Sequence, residues 1–94
     1  MSIKTELQVA VGTEPTSSSG LRYMINLGMS ICNDTPKINL REASYKLDHN
    51  NKILLLKMIK VMLFGGDEQW DEVEVMTWIK TYHSKAYERG MNND

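Results

Sequence analysis

The twelve residues Ile53 to Phe64 constrain this chain more than any other stretch, because only Lys57 and Lys60 interrupt their apolar character and Gly65-Gly66 closes them. On a helix, Lys52, Lys57 and Lys60 occupy one narrow sector and leave most of the circumference apolar. Such a helix is either central to a core or half covered by a partner. It is too short for a bilayer, which takes about 20 predominantly apolar residues. Gly65 supplies a left-handed cap at its end.

A chain of 94 residues makes one domain, 1–94, with a single core and little surplus for a deep private cleft. Its one cysteine, Cys32, forbids an intrachain disulfide and removes the secreted disulfide-scaffold class. Residues 1–14 lack the long apolar core of a signal peptide. A cytoplasmic location without membrane contact is therefore the expectation.

Ile3, Leu7, Val9 and Val11 alternate with Lys4, Glu6, Gln8 and Ala10. Period two over nine residues reads as an N-terminal β-strand. Residues 12–20 have loop chemistry. Leu21, Met24, Ile25, Gly28 and Cys32 then share a helical face, capped by Ser18 or Ser19 and ending near Asn33. Gly28 on that face either admits a neighbouring element closely or is a tolerated mid-helix glycine. Residues 38–47 fit a short helix with a capping box at Asn39 and Glu42, and equally one arm of a hairpin turning at 48–51.

The last segment reads as one long C-terminal helix. Asp67 caps it, acids crowd its start, and Lys80, Lys85 and Arg89 fall toward its end, with Gly90 as stop. Val75, Trp78, Ile79, Tyr82 and Ala86 form its packing stripe, and residues 91–94 form a frayed tail. The fold class expected is α+β: a predominantly helical small domain with an N-terminal β-strand and a long C-terminal helix. A lone strand needs a pairing partner, in residues 38–59 or in a second chain, which makes a homodimer one expectation.

The net charge of −1 conceals a division. Residues 37–60 hold six bases against two acids, whereas residues 67–74 hold five acids and no base. The basic stretch offers Arg41, Lys46, Lys52, Lys57 and Lys60 as an alternative nucleic-acid surface, but the apolar helix lacks a row of base-reading side chains. His49, His83 and Cys32 are too far apart in sequence for a metal site, so neither metal nor cofactor is expected. Cys32 on an apolar helical face reads as a small buried hydrophobe. No phosphate-binding glycine motif occurs, and first-turn acids usually serve the helix dipole. No catalytic residues are assigned.

The function class expected is a small non-enzymatic adaptor or inhibitor that occludes the surface of another protein. Trp70 would anchor it, and Asp67, Glu68, Asp71, Glu72 and Glu74 would steer it toward a basic partner. The alternatives are a small dimeric DNA-binding regulator and a small enzyme with its site between subunits.

Overall fold

A computed structural model describes residues 2–15, 18–66 and 69–92, and among these every regular element is helical. In order they are α1 (Ile3–Val11), α2 (Ser19–Cys32), a 3₁₀ turn (Leu40–Glu42), α3 (Ala43–Lys46), α4 (His49–Phe64), α5 (Glu72–Tyr82) and α6 (Ser84–Met91). The α+β expectation is overturned, since the described residues contain no strand.

The N-terminal segment shows why. Ile3, Leu7 and Val11 are spaced by four, a spacing that satisfies a strand and a helix alike. The structure buries Leu7 and Val11 but leaves Val9 69% exposed. A strand would place Val9 on the same face as its neighbours. Ser2 decides the matter locally: its Oγ accepts the Thr5 N–H at 3.1 Å, an N-cap that starts α1. Gly12 ends the helix at φ 76°. With no strand to pair there, the backbone argument for a homodimer disappears.

The axis of the molecule is α2, which packs against all five other helices. Ser18 Oγ accepts the Leu21 N–H, and the helix closes at Asn33. Met24, Ile25, Leu27 and Met29 are each no more than 2% exposed. Gly28 lies where neighbours converge, and a β-carbon there would stand 2.9 Å from Leu7 Cδ2. The glycine therefore serves close approach.

Within residues 38–47 a 3₁₀ turn and α3 occupy 40–46, so the segment is not a hairpin arm. Asn39 Oδ1 accepts the Arg41 N–H at 3.0 Å, and Ala43 and Leu47 are buried. The supposed hairpin turn is instead the start of α4, where Asp48 Oδ1 accepts the Asn51 N–H at 2.8 Å. At the other end Gly65 adopts φ 71° and its N–H bonds Val61 O.

The long C-terminal helix is two helices. Asp71 caps α5, its Oδ1 accepting the Glu74 N–H at 3.0 Å, and the expected cap, Asp67, lies outside the described residues. His83 breaks the run at φ −135°, ψ 53°. Its Nε2 lies 2.8 Å from Gly12 O. A carbonyl only accepts, so Nε2 carries the proton. This bond ties the end of α1 to the α5–α6 junction and turns α6 back onto α2. Val75 and Ile79 fill the core, whereas Tyr82, placed on the packing stripe by sequence, is 45% exposed. Gly90 is the penultimate residue of α6, which ends at Met91, and lies beside Met29. None of these helices is long and apolar enough to cross a membrane.

Candidate functional site

The outer face of α4 is the feature that core packing leaves unused. Only Leu54, Leu55 and Met58 of this helix are buried. They lie together on one side, against α2 and α1. Opposite them Ile53 is 42% exposed, Leu56 66%, Leu63 63% and Phe64 80%. The spacings of three, seven and eight between these residues keep them on one stripe. At 1.5 Å per residue the stripe is about 16 Å long. A fully enclosed position for α4 is thereby excluded: the core covers one side of the helix and leaves the other exposed.

Positive charge shares this face: Lys60 is four residues from Leu56 and Phe64 and three from Leu63, and Lys57 is four from Ile53. Residues 49–64 contain Lys52, Lys57 and Lys60 and no acid. Lys57 Nζ donates to Glu6 Oε1 of α1 at 3.0 Å. Lys52 and Lys60 pair with no carboxylate among the described residues.

Two of the five acids expected to form a docking surface make contacts within the fold. Asp67 and Glu68 lie outside the described residues. Asp71 caps α5, and Glu74 Oε2 receives a 2.6 Å bond from Lys4 Nζ. Glu72 is exposed and Trp70 half buried. The Trp70 ring packs against the core, and its buried Nε1 finds no acceptor among the described residues. Val73, at 75% exposure, is the open apolar side chain of this region.

The expected nucleic-acid residues divide. Lys52, Lys57 and Lys60 share the α4 surface, while Arg41 stands on the 3₁₀ turn and Lys46 pairs with Glu42. That hydrogen bond to Glu42, more than any other cause, holds the Lys46 ammonium above its ordinary range.

The chemistry-bearing residues do not assemble. His49 is exposed at the first position of α4, and His83 is buried at the α5–α6 junction. No group of three or more His, Cys, Asp or Glu comes together among the described residues. Burial, then the charges of Glu72 and Asp71, push the Cys32 thiol up to about 12, which suppresses the nucleophilic thiolate. The chain matches no family model, and neither a curated protein nor a solved structure shows significant similarity to it.

The outer residues of α4 were present in the sequence as surplus hydrophobicity. What the sequence withheld was the side on which that surplus would face solvent. This depends on α1 and α2 covering Leu54, Leu55 and Met58.

Proposed function

We propose that the protein is a non-enzymatic binding module whose α4 stripe receives an acidic amphipathic helix of another protein. The observation that carries this reading is the exposure of Ile53, Leu56, Leu63 and Phe64 on one helix face, with Lys60 among them. Three turns of stripe suit the i, i+3, i+4 and i+7 anchors by which one helix lies on another. Burying four such side chains offers apolar contact area, and Lys57 and Lys60 on the same face add donors for carboxylates.

The charge selects the occupant. Because residues 49–64 carry lysines and no acid, a second copy docked α4 to α4 would bring like charges together. A helix with Asp or Glu beside its apolar stripe would complement Lys52 and Lys60 and accelerate encounter. The acidic start of α5 fits this role less well, since Asp71 and Glu74 already serve contacts within the fold.

Quantitative affinity capture with the intact chain and with Leu56→Glu, Phe64→Glu and Lys52→Glu/Lys60→Glu tests the reading. The expected result is one protein lost with both apolar variants and reduced by the charge reversal. A synthetic peptide from its acidic amphipathic segment should then bind the intact chain directly. Unchanged capture in all variants would refute the proposal. So would a self-association in sedimentation, or anionic-vesicle binding, that Leu56→Glu abolishes while no protein is captured.

A further inference from the structure

On another side of the molecule, three adjoining hollows form one branched cleft over the polar side of α2. The largest, about 330 Å³, lies between α2 and residues 37–46, with Arg22, Asn26, Lys37 and Lys46 in its wall. A second, about 180 Å³, shares Arg22, Asn26 and Lys37 with the first and reaches Arg89 of α6. A third, about 200 Å³, shares Arg22 and Arg89 and adds Lys85. Arg22 borders all three.

The walls concentrate charge. They hold Arg22, Lys37, Lys46, Lys85 and Arg89, five of the eleven Lys and Arg residues, against Glu42, one of the twelve acids. Glu42 is itself paired with Lys46. A local excess of four positive charges thus sits in a chain of net charge −1. A concave wall of one sign focuses its field and raises the local concentration of oppositely charged ligands. Arg89, whose Nε donates to Lys85 O at 3.5 Å, also carries terminal guanidinium donors suited to phosphoryl oxygens.

The shape narrows the ligand class. The floor from Arg22 to Asn26 rises about 6 Å along α2, room for more than one phosphoryl group in line with a branched, multiply basic wall. The third arm has an apolar side made by Pro15 and Ala86, suited to the organic body of a small molecule. The aromatic rings in the walls, Tyr23 and His83, are both 5% exposed. Neither offers the open face on which single-stranded nucleic acid stacks its bases. The concavity also opposes a duplex, which is read by elements that protrude into its grooves.

We infer that this cleft binds a small organic molecule carrying two or more phosphoryl groups, held by Lys37 and Arg89 with its apolar portion against Pro15 and Ala86. The site is separate from the α4 stripe and stands or falls independently of it.

The test is calorimetric titration of the full chain at low salt with ADP, inorganic pyrophosphate, orthophosphate and an eight-nucleotide single-stranded RNA. ADP and pyrophosphate should bind at least tenfold tighter than orthophosphate. Lys37→Gln and Arg89→Gln, both at exposed positions, should each weaken ADP binding about tenfold, whereas Lys52→Gln on α4 should leave it unchanged. Backbone amide shifts on adding ADP should centre on residues 22–26 and 85–89. Equal, weak binding of every anion, or binding indifferent to Lys37→Gln and Arg89→Gln, would overturn the inference. RNA binding tighter than ADP and lost with the same variants would overturn the small-molecule assignment.

Discussion

Substituting Gly28 interrogates the packing on which the fold turns. A β-carbon at Gly28 lies 2.9 Å from Leu7 Cδ2, 3.7 Å from Ile79 Cδ1 and 3.8 Å from Met58 Cε. Leu7, Ile79 and Met58 are each no more than 1% exposed, so Leu7 cannot swing aside into solvent. Two opposing effects set the outcome of Gly28→Ala. Alanine is favoured over glycine in a helix by about 1 kcal/mol. Forcing one methyl into a filled core costs about 1–3 kcal/mol. The net expectation is a loss of about 0–2 kcal/mol, and Gly28→Val, with two further methyl groups and a β-branch, should lose more.

A double-mutant cycle separates the two effects. Leu7→Ala alone should cost about 2–5 kcal/mol through the cavity it opens. In that background the clash is gone, and Gly28→Ala should stabilise by about 1 kcal/mol, the propensity gain alone. The coupling between the two sites should then be about 1–3 kcal/mol. Urea unfolding followed by far-ultraviolet circular dichroism measures all four proteins. If Gly28→Ala stabilised both backgrounds equally, α1 would not approach α2 as described and the reasoning would fail.

Other consequences are as direct. The native Cys32 thiol, pushed up to about 12 from an ordinary value of 9.0, should react with a disulfide reagent at pH 8 at least a hundredfold more slowly than in the urea-unfolded chain, and equal rates would contradict its burial. Because the folded value is raised, Cys32 contributes stability below about pH 9 that is lost as pH climbs toward 12. Urea midpoints measured from pH 8 to 10.5 should therefore fall less steeply for Cys32→Ala than for the intact chain. Replacing His83 by Ala removes the bond to Gly12 O and should cost about 1–3 kcal/mol in thermal unfolding, with α6 amides losing hydrogen-exchange protection first. Trp70→Phe keeps the ring packing and deletes an orphaned donor, so it should change stability by less than about 1 kcal/mol, against a larger loss for Trp70→Ala.

The elements legible in the sequence were those whose signals are local. Ser18 and the Leu21–Cys32 face marked α2, and Gly65 marked the end of α4. The N-terminal segment misled because a spacing of four between Ile3, Leu7 and Val11 is common to both periodicities, and the deciding signal was the cap at Ser2 rather than the pattern. The break at His83 was invisible because its cause, the carbonyl of Gly12, lies 71 residues away. In the same way Arg22, Lys37 and Arg89 share a cleft only because α6 folds back across α2. The sequence exposed the hydrophobic surplus of α4 but not its outward face, which is a product of tertiary cover.

Site-specific photocrosslinking in cells compares the two surfaces most directly, with a benzophenone side chain at position 56 on α4 or at position 73 on α5. Leu56 and Val73 are 66% and 75% exposed, so neither replacement disturbs the core. The account expects position 56 to capture one protein through a segment that reads as an acidic amphipathic helix, and position 73 to capture nothing in common with it. Capture at position 73 alone, or only of a second copy of this chain at position 56, would contradict it.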